Sequence, residues 1–305
     1  MNKQKTIIVI AGPTAVGKSA IALELAQYYN TAILSSDSRQ SYKGMAIGTA
    51  QPSLEEQDLV PHYFINEFEP EVAFSAGIYE TYALSTLDTL FESHDVVVVC
   101  GGTGLYIKAL CEGIDEMPST DRNIENAIHA EFEIKGLDWL QQTVAFEDPA
   151  FWAIAEQQNH ARLIRGLAFY RTNQNSIANF RTGVVKERPF NIIKIGIDMP
   201  REALYERING RVDQMMQLGL MEEVSALYPK RALKNLHTVG YSEFYEFGYW
   251  PLDASDTAIA VDKVKQHSRN YAKRQLTWFR KDSSMTWFHP NEIAAIKSFL
   301  KEKIS

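Results

Sequence analysis

Cysteine is scarce in this chain: two residues in 305, Cys100 and Cys111, with no metal-ligand spacing between them. That argues against a disulfide framework and makes a cytoplasmic location the expectation. Long apolar runs are missing from the start of the chain, where Ile7 to Ile10 is too short for a signal-peptide core or a membrane span. No targeting segment and no membrane partner are therefore expected. Internal repeats and low-complexity tracts are also lacking. Positive charge is in deficit, with a formal net charge of -7, which taken alone speaks against a nucleic-acid partner. Its distribution says more. Arg162, Arg165, Arg171, Arg181, Lys186 and Arg188 are interrupted only by Glu187, and Lys263 to Lys281 holds seven cations with no acid between them. Such stretches are what phosphate contacts leave in a sequence, although solvated helix faces give similar runs.

What is present begins with Gly12-Pro13-Thr14-Ala15-Val16-Gly17-Lys18-Ser19, set between the apolar run ending at Ile10 and a helix-period stretch from Ser19 to Ala26. The two glycines let successive backbone N–H groups curl round a diphosphate or triphosphate. Lys18 adds a point charge, and the Ser19 hydroxyl is placed to reach Mg²⁺. The helix N-terminus then faces the anion.

Beyond this loop, Thr31 to Ser35 reads as a short strand ending in the polar loop Ser36-Asp37-Ser38-Arg39-Gln40, and ligand loops sit at such strand ends. Tyr42 to Pro52 reads as irregular and His62 to Ile65 as a short strand. Ser75 to Glu92 is helical, with Ser75 as N-cap, and Asp95 to Cys100 is the apolar run of a strand buried on both faces. That run ends in Gly101-Gly102-Thr103-Gly104 and lacks the acid that holds Mg²⁺ at this point in nucleotide hydrolases. Near Pro118 strand-helix alternation gives way to helices: Asp121 to Ile134, Leu137 to Val144, Pro149 to Glu156 and His160 to Arg171. A polar stretch from Thr172 to Pro189 follows, and Asn191 to Ile197 returns to the sheet. Helices are then expected over Arg201 to Leu218, Leu220 to Leu227, Gly240 to Phe247 and Asp256 to Phe279. The expected fold is α/β: a P-loop-type parallel sheet flanked by helices, built from residues 1–117 and 190–305, with a small all-helical domain inserted at 118–189.

Four stretches taken together resemble the tRNA dimethylallyltransferases, also called isopentenyl-tRNA transferases. They are Gly12 to Ser19; Asp37-Ser38-Arg39-Gln40 with Tyr42 and Gly48-Thr49-Ala50; Gly101-Gly102-Thr103 with Leu105-Tyr106; and Lys273 to Arg280. Between the last two, Arg207-Ile208 with Arg211, Gly219-Leu220 with Glu223-Val224, and Val239-Gly240-Tyr241 with Glu243 match the family's middle pattern. The resemblance implies transfer of a dimethylallyl group from dimethylallyl diphosphate to the exocyclic amine of the adenine 3′ to the anticodon, in tRNAs reading codons that begin with U. It makes Gly12 and the amides of Thr14, Ala15, Val16, Gly17, Lys18 and Ser19 the holder of a leaving group, with Mg²⁺ on Ser19. Asp37 becomes the base that takes the amine proton, and Thr103 orients the amine or a diphosphate oxygen. Arg211 neutralises the leaving group, or Arg207 does so, since four-residue spacing puts both on one helical face. Asp37, Ser38, Arg39, Gln40 and Thr103 are implied to read the extruded base and its neighbours, with Arg162 and Arg165 on the phosphates of the anticodon stem. Arg274 and Arg280 are candidates for diphosphate or RNA, while Gln275 and Trp278 are expected to pack their helix against the core. A monomer is expected.

The chain departs from the family pattern in places. Ala46 and Gln51 stand where an aspartate and a lysine are usual, Glu125 where an arginine is common, Ala161 where a glutamine is usual, and Gly166-Leu167-Ala168 replaces Ala-Leu-Glu. The other readings are prenyl transfer to a free adenine nucleotide, a P-loop kinase, and a catalytically silent RNA-binding relative.

Overall fold

The computed structural model describes residues 4–304. They form two compact units, one made of the residues up to Gly113 and from Glu187 onward, the other of Ile114–Lys186.

The first unit is built on β1 (Thr6–Ala11), buried at all six positions, as a strand covered on both faces must be. It leads into α1 (Lys18–Tyr29), which Asn30 ends in the left-handed conformation. Next come β2 (Ile33–Ser35), a long irregular loop, and α2 (Leu54–Leu59), which opens on a capping box between Ser53 and Glu56. β3 (His62–Tyr63) is two residues shorter than its sequence suggests, because Phe64 takes a φ of 63° and leaves the strand. α3 (Ala76–Phe91) starts at the expected Ser75 cap, and β4 (Val96–Gly101) is followed at once by α4 (Gly104–Glu112).

In the second unit, α5 (Arg122–Glu147) is broken at Gly136, whose φ of 75° and ψ of -171° are not helical, in line with the two helices expected on either side of it. α6 (Pro149–Trp152) stops four residues short of Glu156, and α7 (His160–Asn173) completes the bundle. α5 and α7 enclose a core of their own, including Ile128, Leu140, Val144, Leu163 and Leu167. Arg171 pairs with Glu147 through two hydrogen bonds, at 2.9 and 2.7 Å.

The first unit resumes with β5 (Asn191–Ile197), α8 (Arg201–Gln217) and α9 (Leu220–Leu227). α10 (Ser242–Tyr245) is shorter than expected, since Gly240 and Gly248 both take positive φ. α11 (Ala254–Phe279) is followed by β6 (Thr286–Phe288) and α12 (Ile293–Ile304), neither of which the sequence reading included. All six strands are parallel, in the order β3-β2-β4-β1-β5-β6. β1 therefore lies between β4, reached by chain that has run to one side, and β5 on the other. The carboxyl end of such a central strand is where α/β sheets open a ligand crevice.

Candidate active site

The loop after β1 is fixed by close packing. A Cβ on Gly12, whose φ is +150°, would lie 2.5 Å from the carbonyl oxygen of Ile197 on the neighbouring strand, so no side chain fits there. Val16 is fully buried and anchors the loop from below. Lys18 donates from Nζ to the Pro13 carbonyl at 2.7 Å. Burial pushes its ammonium down to about 8, an effect that the nearby Arg211 reinforces and that Cys100 and Asp37 oppose. Gly17, Lys18 and Ser19 line a cavity of about 330 Å³ together with Arg207, Arg211 and Gln214. Arg207 and Arg211 stand one turn apart on α8, so both arginines left open by the sequence face this cavity. The Arg207 guanidinium lies over Gly17, with terminal nitrogens 3.5 and 3.8 Å from where a Cβ would stand. Arg211 donates to the Thr14 hydroxyl at 3.2 Å.

The Thr14 amide does something the sequence did not suggest. It donates to Oε1 of Gln275 at 2.8 Å, so the amides available to an anion are those from Ala15 to Ser19, and Thr14 brings its hydroxyl. Ser19 is exposed, on the same wall as Lys18. A lone hydroxyl beside a polyphosphate cradle fits Mg²⁺, which keeps several waters and is otherwise held by substrate phosphates. Among the described residues no group of three or more His, Cys, Asp or Glu forms a separate metal site.

A second cavity, of about 250 Å³, shares Ala15 and Arg211 with the first. Asp37, Ser38 and Arg39 form part of its polar wall, and Ile208, Val212, Met215, Val239 and Val264 its apolar one. Asp37 accepts the Arg39 amide through Oδ1 at 2.9 Å, so the Asx turn and the cavity-facing carboxylate are one feature. Thr103 ties this loop to the end of β4. Its Oγ1 accepts the Ser38 amide at 3.0 Å, and its own amide donates to the Ser36 carbonyl at 3.2 Å. The glycines before it admit neighbours: a Cβ on Gly101 would lie 2.4 Å from the Ser36 carbonyl carbon, and one on Gly102 would lie 2.3 Å from Nε2 of Gln275. At Gly101 the clash is with backbone, so no side chain fits there, whereas at Gly102 it is with the end of the Gln275 side chain.

Sequence reasoning missed Tyr271, which lines the second cavity one turn before Gln275 on α11. Burial pushes its phenol up to about 12, with Asp37 adding to the effect. It also missed the work of two acids that it quoted only as pattern. Glu223 accepts the Ile47 and Gly48 amides, each at 2.8 Å, and the Tyr241 hydroxyl at 2.6 Å. Buried Glu243 accepts the Gly240 amide at 2.9 Å and lies 2.7 Å from His267 Nδ1. Together they set Gly48 and Gly240 on the cavity wall.

Other expected residues are placed differently. Gln40 gives its amide hydrogens to the Thr49 and Ala50 carbonyls, at 3.2 and 2.8 Å, so it shapes the loop from inside. Gln51, where a lysine is usual, crosses back to donate to the Gln40 and Tyr42 carbonyls, both at 2.8 Å. Gln51 thus ties the loop without bringing a charge. Arg39 reaches Oδ1 of Asn235 at 3.2 Å. Arg274 lies 5.7 Å from the Tyr271 ring centroid and lines a separate basic groove with Lys273, Trp278 and Lys281. Arg280 pairs with Asp198 at 2.6 Å. In the second unit, Arg162 and Arg165 are exposed on α7, and Arg162 pairs with exposed Glu156 at 2.9 Å. Arg181 joins them: its guanidinium sits 5.8 Å from the Phe151 ring centroid, and Arg165 and Arg162 add to the burial that lowers its pKa. Gly166 makes that packing possible, since a Cβ there would lie 2.1 Å from the Phe151 ring.

A glycine-bearing loop at the carboxyl end of a central parallel strand, with two arginines over it and a carboxylate beside an adjoining apolar cavity, is the arrangement of an α/β enzyme site. The family model for IPP transferase matches residues 40–282, and the chain belongs to that family. It is 46% identical over 301 residues to the tRNA dimethylallyltransferase of Cytophaga hutchinsonii, covering 98% of both chains. It is 42% identical over 302 residues to tRNA dimethylallyltransferase 1 of Bacteroides fragilis, covering 98% of this chain and 99% of that one. Among solved structures, the tRNA isopentenylpyrophosphate transferase of Bacillus halodurans is similar with a TM-score of 0.71 and 34% identity, over 99% of this chain and 97% of that one.

Lys18 gives this site a pH signature. The charged form of its ammonium is lost in the free protein as pH rises through about 8, and with it any attraction for an anion in the cavity. The KM for a diphosphate substrate is expected to be flat below pH 8 and to climb above it, read from initial rates between pH 6.5 and 10.

Proposed function

We propose that this chain transfers a dimethylallyl group from dimethylallyl diphosphate to the exocyclic amine of the adenine 3′ to the anticodon, in tRNAs reading codons that begin with U, in the cytoplasm. One observation carries the reading: the anion cavity and the apolar cavity share Ala15 and Arg211 as a common wall. A diphosphate in the first therefore directs an attached five-carbon group into the second. Lys18, Arg207, Arg211 and the amides from Ala15 to Ser19 take up negative charge as the allylic C–O bond breaks and its electron pair leaves with the diphosphate. Mg²⁺ bound at Ser19 would add positive charge to the same leaving group. The adenine amine forms the new N–C bond and passes a proton to Asp37. Thr103 lines neither cavity; its Oγ1 holds the Ser38 amide and so keeps the loop that carries Asp37 in place.

Reaching the amine requires taking the base out of the anticodon-loop stack, at a cost of a few kcal/mol. Ser38 and Arg39 face the cavity that receives it. Arg162, Arg165 and Arg181 of the second unit suit stem phosphates. Arg181→Ala is expected to weaken tRNA binding for all sequences alike and to lower the slope of log K against log salt by about one, measured by filter binding across a salt series.

Phosphoryl transfer is disfavoured, because β4 ends in glycines where nucleotide hydrolases carry a Mg²⁺-holding acid, and at Gly101 the Ser36 backbone leaves no room for one. The test supplies labelled dimethylallyl diphosphate and Mg²⁺ with either unmodified tRNA or a free adenine nucleotide, beside an ATP-turnover control. Label in tRNA alone is expected; label in the free nucleotide alone, or ATP turnover without prenyl transfer, would replace this reading.

A further inference from the structure

We infer that Gln275 is a positioning residue that holds the leaving-group half and the nucleophile half of the site in register, and so governs kcat while leaving the affinity for either substrate unchanged. The inference rests on the prenyl-transfer reading above.

Gln275 is 5% exposed and lines neither cavity, so its influence on the site runs through the residues it holds. Its one amide makes two bonds of 2.8 Å. Oε1 accepts the Thr14 amide across 261 positions of sequence, and Nε2 donates to the Gly102 carbonyl across 173. Each end then continues into the chemistry. Thr14 receives Arg211 on its hydroxyl, on the leaving-group side. Gly102 precedes Thr103, which holds the Ser38 amide beside Asp37, on the side of the base. One side chain thus joins the cation that receives the diphosphate charge to the carboxylate that receives the proton.

The residue type is specific. The bridge needs an acceptor and a donor on one planar group at this reach; asparagine is a methylene short, and a carboxylate lacks the donor. Gly102 is shaped for it, since a Cβ there would fall 2.3 Å from Nε2. Prenyl transfer needs the allylic carbon, its leaving group and the amine aligned at the moment of reaction. A misplacement of about 1 Å between the halves is enough to lower the rate by ~100-fold.

Two variants test this in the full chain. Gln275→Met keeps length and volume and removes both bonds. Gln275→Glu keeps the acceptor for Thr14 and donates to Gly102 only when protonated. For Gln275→Met, kcat is expected to fall by about 10- to 100-fold, with KM for dimethylallyl diphosphate and Kd for tRNA within about two-fold and an unchanged circular dichroism spectrum. For Gln275→Glu, the ratio of its kcat to that of the unaltered chain rises as pH falls, because protonation restores the donor; a merely space-filling residue has no such profile. A folded Met variant with undiminished kcat, a loss confined to KM, or a pH-independent Glu ratio would overturn the proposal. If the Met variant does not fold, the Glu profile decides alone. Failure of the unaltered chain to prenylate tRNA would instead remove the reading on which the inference stands.

Discussion

Asp37→Asn is expected to lower kcat for prenyl transfer by about 10²- to 10⁴-fold, the range that a positioned general base contributes, while tRNA affinity stays within a few-fold. The substitution is mild in structure. Asparagine keeps an oxygen where Oδ1 accepts the Arg39 amide at 2.9 Å, so the turn survives and Ser38 stays on Thr103 at 3.0 Å. What disappears is the capacity to take a proton from an amine whose lone pair is delocalised into the adenine ring. Single-turnover rates, with tRNA binding measured on the same preparation, separate the two effects. Equal losses in rate and binding would assign Asp37 to the shape of the loop and remove it from the chemistry.

The second large effect is expected at Lys18. In the proposed reaction Lys18→Met removes one of the charges that face the leaving diphosphate, and kcat is expected to fall by about 10²- to 10³-fold, as for loss of one preorganised charge-stabilising group. The climb of KM above pH 8 should vanish with it. The fold should not suffer. The Lys18 pKa lies at about 8 in the folded protein against an ordinary 10.5, so the protonated lysine costs stability at neutral pH. The unaltered fold gains stability as pH rises from about 8 towards 10.5, where the unfolded chain binds more protons than the folded one. A methionine carries no such cost, and Lys18→Met is expected to melt at or above the temperature of the unaltered chain at pH 7. A lower melting temperature would mean that the ammonium's bond to the Pro13 carbonyl outweighs its desolvation.

Lys18 stood out in the sequence because its signal is local. Lys18 sits in a strand-loop-helix pattern whose glycines have one main use, and the apolar runs of β1, β4 and β5 announce strands buried on both faces. Asp37 needed the family pattern, because an Asx turn accounts for Ser-Asp-Ser equally well, and the structure contains that turn. Gln275 was read only as packing, since its partners lie 261 and 173 positions away and no spacing along one helix encodes them. β6 escaped because three half-buried residues give no period to read. The ends of β3 and α10 were overrun because Phe64, Gly240 and Gly248 adopt positive φ that hydrophobic patterning does not report. Arg181 was visible as charge, but its place beside Arg162 and Arg165 depends on Phe151 resting against Gly166.

The proposed reaction uses two joined cavities to bring a diphosphate-borne five-carbon group to an adenine in an anticodon loop. It is tested most directly by incubating the protein with Mg²⁺, dimethylallyl diphosphate and a tRNA that reads a codon beginning with U, then mapping the product by nuclease digestion and mass spectrometry. One dimethylallyl addition is expected, on the exocyclic nitrogen of the adenine 3′ to the anticodon. Addition at another nucleotide, or intact tRNA from a preparation that binds both substrates, would contradict it.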